Sequence, residues 1–231
     1  MRYKKAVRIF LPEPLITKKE VTEMLQTIIT TICCALLGAV LSYPVLLLNR
    51  QLLKNRGLES KEGKAEHIVL PIIMGLFGAV IGWRIGLTWE TLYLYLVLFV
   101  CGSISCIDAR HRIIPNELVF ALLALTIAFG AAGVTTIDWL SSLGGFAACF
   151  VLFLLPALFS KKVGAGDIKL AAAMGFCVGL MGSLYAITMM GILVLIYVAV
   201  QFRIPIVQRL KTMVPMGPFL AIALIAVSLL S

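Results

Sequence analysis

The sequence predicts an all-α, polytopic transmembrane helix bundle of about eight helices, and three observations carry that reading. Apolar residues make up 61% of the chain and charged residues 13%, with a mean hydropathy of +1.05, outside the range of a water-soluble domain. The apolar residues fall in long runs separated by short charged gaps. A bilayer core about 30 Å thick needs roughly 20 apolar residues per crossing, so a chain of this length holds about seven or eight.

The runs lie at 27–48, 68–87, 91–107, 117–134, 138–159, 167–181, 182–201 and 215–231. The stretch 168–200 is too long for one crossing, and Gly179, Gly182 and Ser183 mark the natural place to turn it back. Residues 1–26 read as a polar or interfacial segment ahead of a single membrane domain, 27–231, whose loop 49–67 is short. No small-residue cleavage site follows the first apolar run, so the N-terminus is expected to be retained.

The net charge of +9 raises nucleic acid as a partner, but the basic residues sit in the gaps and form no single stripe. Topology explains them better, since cytoplasmic loops collect Lys and Arg. Arg50, Lys54, Arg56, Lys61 and Lys64 fall in the first loop, Arg110 and Arg112 in the third, Lys161 and Lys162 in the fifth, and Arg203, Arg209 and Lys211 in the seventh. The even loops carry only Arg84. This alternation puts the odd loops inside and both termini outside. Against it stand Arg2, Lys4, Lys5, Arg8, Lys18 and Lys19, which call for either an interfacial N-terminal segment or an incomplete first crossing. The six cysteines form no CxxC and read as ordinary buried thiols, so no metal ligands are expected.

Carboxylates carry more information, because an acid at membrane depth costs about 2.5–3.5 kcal/mol on insertion scales. Glu13, Glu20, Glu23, Glu59, Glu62 and Glu66 lie in polar segments and read as solvated charges. Glu90 and Asp138 open helices, where an acid complements the dipole, and Glu117 reads as a helix cap. Asp108 and Asp167 remain. Asp108 directly follows the apolar run LYLYLVLFVCGSISCI, and Asp167 directly precedes another. Two crossings separate them, so the chain returns Asp167 to the face that holds Asp108. Two carboxylates brought together in a protected site share one proton, which lets one act as base and the other as acid. By position alone, simple pairing with Arg110, Arg112 or Lys169 is an equally open reading.

The surrounding motifs decide between them. Gly164, Ala165, Gly166 and Asp167 spell GAGD, Asp108 stands in IDARHRIIPN with Pro115 and Asn116, and MVPMGPFLAIA holds Pro215, Gly217, Pro218 and Phe219. In this order the three stretches resemble the two aspartate motifs and the C-terminal helix of type IV prepilin peptidases, the GxGD-type membrane aspartic peptidases. The resemblance extends over most of 36–231. It implies catalytic Asp108 and Asp167, supported by Gly164, Gly166, Lys169, Pro115, Asn116, Pro215, Gly217 and Pro218. It also implies the substrate: type IV pilin-like precursors with a short basic leader, cut after Gly and followed by an apolar helix carrying a Glu. Arg110, Arg112, Lys161 and Lys162 are candidates to attract that acid, although the positive-inside rule accounts for them too. The implied site is a bacterial inner membrane, facing the cytoplasm, and the implied partners are those precursors and the bilayer.

The chain departs from the family at 49–67. Bifunctional members carry a larger segment here, often with paired CxxC motifs, associated with methylation of the new N-terminus. This loop holds no cysteine. No cofactor is expected, and methyltransferase activity, S-adenosylmethionine and zinc are put in doubt. Read physically, Gly164 and Gly166 allow tight or positive-φ backbone and leave room for a substrate strand. Asp167 at a helix start is the expected base, and Asp108 near a helix C-terminal end the expected acid. Pro115 and Asn116 are expected to end one helix and cap the next, and Gly217 and Pro218 to line the site or kink the last helix. An ion- or proton-coupled transporter and a catalytically silent assembly protein also fit paired acids among helices.

Overall fold

Apolar runs of this length form helices in lipid because every backbone N–H and C=O must be satisfied within the segment. The computed structural model describes residues 18–58, 63–135, 138–159, 164–200 and 215–230. They form seven helices: α1 (Lys18–Asn55), α2 (Lys64–Arg84), α3 (Trp89–His111), α4 (Asn116–Ala131), α5 (Trp139–Phe159), α6 (Ala165–Val200) and α7 (Gly217–Leu230). No strand occurs among the described residues. Five of the helices, α1, α2, α3, α5 and α6, are long and apolar enough to cross a membrane, while α4 and α7 are shorter.

The count differs from the expected eight because the sixth and seventh runs form one segment, α6. Gly179 interrupts it with φ 70° and ψ −177°, a conformation open in practice to glycine alone. The Leu180 N–H freed by the break donates to Ser141 Oγ on α5 at 3.0 Å. Beyond the break the chain comes back: the Tyr197 ring lies 5.4 Å from that of Phe219, in the first turn of α7. Gly179 therefore serves as the turn that the length of the apolar stretch demands.

Two helix pairs, α1 with α2 and α5 with α6, pack most closely. Small residues let the paired backbones approach closely, as lipid-embedded packing requires. Between α1 and α2, an added Cβ at Gly38 would lie 2.3 Å from Met74 O, and one at Gly78 2.6 Å from Cys34 O. Between α5 and α6, Gly145 and Gly175 face each other with the same intolerance. Helix α3 packs against α1, α2, α4 and α7 and is buried along most of its length. Tyr95 on α3 donates to Cys34 O on α1 at 2.6 Å, and Gly102 packs against Met74 and Val45. Thr88 caps the start of α3 by accepting the Thr91 N–H, and Asp138 Oδ1 accepts the Leu140 N–H at the start of α5.

The bundle has two unlike ends. The C-terminal ends of α1 and α3 and the first turns of α2, α4, α6 and α7 meet at one of them, as the contacts Arg56–Glu117, Arg110–Glu66, Lys169–Asn116 and Gly217–Asp108 show. At the other, Arg84 donates to Leu229 O at 3.2 Å. Residues 1–17, 59–62 and 201–214, and with them Lys61, Arg203, Arg209 and Lys211, lie outside the described residues.

Neighbouring glycines on α5 give a controlled test of the seam. An added Cβ at Gly145 would lie 2.3 Å from Gly175 O, whereas one at Gly144 makes only ordinary contacts of 3.8 Å with Leu180. Gly145→Ala is expected to destabilise the protein in detergent by about 1–3 kcal/mol through overpacking, while Gly144→Ala leaves the unfolding midpoint within error. Thermal unfolding followed by circular dichroism checks both.

Candidate active site

Helix α3 delivers Asp108 in its last turn, because the helix ends three residues later, at His111, with Arg112 in the left-handed region at φ 54°. The Arg112 N–H closes the end on Asp108 O at 2.9 Å. The Asp108 side chain is buried, with 4% of its surface exposed. Its Oδ2 accepts the N–H of Gly217 at 2.8 Å. That donor exists because the first N–H groups of a helix have no acceptor within it, and Gly217 opens α7. Glycine is required there, since an added Cβ would lie 2.8 Å from Asp108 Oδ2 and 2.9 Å from its Cβ.

Asp167 sits in the first turn of α6 and is half-buried. Its Oδ2 accepts the Gly164 N–H at 3.2 Å, while its own N–H donates to Gly164 O at 3.1 Å, the reciprocal bonding of a helix start. Asp108 and Asp167 line one cavity of about 270 Å³. Arg112, Ile113, Ile114, Asn116, Gly164, Ala165, Gly166 and Lys169 complete its wall. The expectation that the two acids share a face holds in the geometry. A larger hollow of about 760 Å³, between the N-terminal part of α1 and Trp83 of α2, is lined mainly by exposed residues and holds neither aspartate.

Several supporting residues act differently from what the sequence suggested. Neither Gly164 nor Gly166 has positive φ. Gly166 instead lets Ile114 close over it, since an added Cβ would lie 3.0 Å from Ile114 Cβ. Pro115 precedes α4 without a side-chain cap, and its carbonyl accepts the Leu118 and Val119 N–H groups. Asn116 does not cap α4: its Oδ1 accepts Lys169 Nζ at 3.1 Å, so Lys169 steadies an amide and not a carboxylate. Pro218 lies in the first turn of α7, where its missing N–H costs nothing, and it kinks no helix. Pro215 is half-buried just ahead of that turn.

The charged candidates separate clearly. Arg112 reaches the cavity wall. Arg110 does not: it forms an ion pair with Glu66 of α2, which is mostly shielded from solvent and is no free solvated charge. Glu117, expected to cap α4, pairs with Arg56 of α1 at 2.6 Å. Lys161 and Lys162 lie outside the described residues. Sequence reasoning missed both ion pairs, because partners 44 and 61 residues apart leave no local pattern.

Fold and site together define a multi-pass helical membrane protein with a pair of shielded aspartates at one end of the bundle. Comparison with known proteins finds a likeness: residues 92–199, which include both aspartates, match the type IV leader peptidase family model. The chain is 26% identical over 160 residues to the prepilin leader peptidase/N-methyltransferase of Stutzerimonas stutzeri and 27% identical over 160 residues to that of Pseudomonas aeruginosa. It is 29% identical over 159 residues to the protein of the same name from Legionella pneumophila. The first two alignments cover 67% of this chain and 55% of the relative, so the chain spans about half the length of the curated relatives it matches. The resemblance carried by the motifs is thereby shown. No solved structure matches the chain.

The contact between Gly217 and Asp108 is testable without any activity. Gly217→Ala is expected to destabilise the wild-type protein by about 1–3 kcal/mol, from overpacking and a strained hydrogen bond. In an Asp108→Ala background, which vacates the crowded space, the same substitution is expected to cost less. A double-mutant cycle on unfolding midpoints measures the difference, and additive effects would refute the coupling.

Proposed function

We propose that this chain is a membrane aspartic endopeptidase that removes the short basic leader of type IV prepilin-like or pseudopilin precursors. The observation that carries the reading is the placement of Asp108 and Asp167 in one cavity, each held by a backbone N–H, within the stretch matching the leader peptidase family. The names of the relatives supply the substrate class.

In this reading residues 27–231 act as one peptidase domain. Asp167, the more exposed acid, lies in the first turn of α6, where the dipole favours an anion, and is the base. Asp108 is buried near the C-terminal end of α3 and is the acid; Gly217 holds its Oδ2, leaving Oδ1 to carry the proton. A water between them attacks the scissile carbonyl carbon while Asp167 takes its proton and Asp108 protonates the carbonyl oxygen. The tetrahedral intermediate then collapses: its hydroxyl proton returns to Asp108, the C–N bond breaks, and the leaving nitrogen takes the proton held by Asp167. Each acid ends as it began.

Arg112, on the cavity wall, is the cation placed to meet an acidic residue of the substrate. Arg110 is already engaged with Glu66 and is left out of that role. The aspartate end of the bundle collects Arg56, Arg110, Arg112 and Lys169, so by the positive-inside rule it faces the cytoplasm, in a bacterial inner membrane. The names of the relatives include N-methyltransferase, but residues 49–67 here, the end of α1, the start of α2 and the short connection between them, hold no cysteine, and methylation is not part of this reading.

Coexpression with a prepilin-like precursor tests it, with leader removal followed by gel shift. Asp108→Asn and Asp167→Asn are each expected to lower cleavage by about 10²–10⁴-fold at normal membrane abundance, the range for loss of a general acid or base. Wild-type cleavage by either variant would sink the two-aspartate mechanism. Proton-coupled solute flux without cleavage would favour a transporter.

A further inference from the structure

The last turn of α3 is gripped on two sides. On one, Asp108 receives the Gly217 N–H from α7. Successive helical residues are about 100° apart, so Arg110 points roughly 200° round from Asp108. There it meets Glu66, in the first turn of α2. Only His111 follows before the helix ends, so no further helical turn secures this segment.

A third polar group completes the cluster. Asn49 of α1 is 6% exposed, and neither its Oδ1 nor its Nδ2 has a hydrogen-bond partner among the described residues. Arg110 Nη2 is likewise buried without one. Asn49, Glu66 and Arg110 line the same small hollow, together with Cys106 and Ile107 of α3. A buried polar cluster with unmade bonds lowers stability relative to an apolar filling. What it provides in return is direction: charge pairing fixes which face of α3 meets α2, where apolar packing alone tolerates rotation.

We propose that the Glu66–Arg110 pair, seated beside Asn49, is a positioning device for Asp108: it sets the rotation of the last turn of α3 and hence the aim of the carboxyl into the cavity. The inference rests on the peptidase reading above. Glu66 touches neither the cavity nor either aspartate, so it acts through Arg110 and the backbone. Losing the pair turns Asp108 away from Asp167, while the part of the cavity wall on other elements, Asn116 of α4 and Gly164, Gly166 and Lys169 around the start of α6, stays in place.

The test uses the full chain, purified in detergent, with a prepilin-like precursor as substrate and kcat and KM measured separately. Glu66→Gln is expected to lower kcat at least about tenfold, as misplacement of a reacting group does, with KM within twofold of wild type. Glu66→Asp keeps the charge on a shorter arm and is expected to retain part of the rate, about two- to fivefold below wild type. Wild-type kcat in Glu66→Gln, or a raised KM at unchanged kcat, overturns the proposal. Where Glu66→Gln does not accumulate in the membrane, wild-type kcat in Glu66→Asp overturns it. Wild type and Asp108→Asn are run in parallel: absence of cleavage by wild type defeats the peptidase reading itself, whereas cleavage by wild type and Glu66→Gln alike defeats only this inference.

Discussion

An acid buried to the degree of Asp108 needs a hydrogen-bond donor, because the interior of a lipid-embedded bundle offers little water. The bond from the Gly217 N–H supplies it, and much of the arrangement follows. Helix α7 begins at the height of Asp108, inside the bundle. Its first residue is glycine because any side chain would collide with the carboxylate it serves. Its second, Pro218, has no N–H that would need an acceptor. The proline-glycine-proline stretch is thus a way of starting a helix against an acid.

Asp167 is held by a different device. Its carboxylate bonds to the backbone of its own helix start, so its position depends on α6 beginning where it does. That start is pressed against the α3–α4 corner by Ile114 over Gly166 and by Lys169 on Asn116. One acid is therefore fixed by a distant helix and the other by its own. The two carboxyls differ in exposure for the same reason: Asp108 lies under α7, and Asp167 lies at the cavity edge.

The sequence made this pair legible through two plain quantities, the rarity of acids at membrane depth and the even number of crossings between 108 and 167. Helix positions followed from apolar run length, and Gly179 was readable as a turn because the stretch 168–200, 33 residues with Lys169 as its only charge, exceeds one crossing. The partners of charged groups were not legible. Glu66 looked like a solvated charge and Glu117 like a cap, yet each is bound to an arginine on another helix. Such pairings depend on helix rotation and tilt, which a pattern of apolar residues leaves free. The role of Gly166 was hidden likewise: nothing local says that Ile114 will cover it.

The family-matched stretch, 92–199, contains both aspartates but not the groups that contact the last turn of α3 around the first of them. Gly217 follows it in the chain, and Glu66 and Asn49 precede it. Within the stretch alone, the Asp108 carboxylate would lose its backbone donor and Arg110 its counter-charge. Either loss leaves a polar group uncompensated at membrane depth, a larger penalty than removing both members of a pair. Helices α1, α2 and α7 are therefore more than a frame that keeps the central stretch in the membrane. The central stretch supplies the two aspartates, the helices outside it supply the contacts around Asp108, and the acid pair is a property of the bundle as a whole.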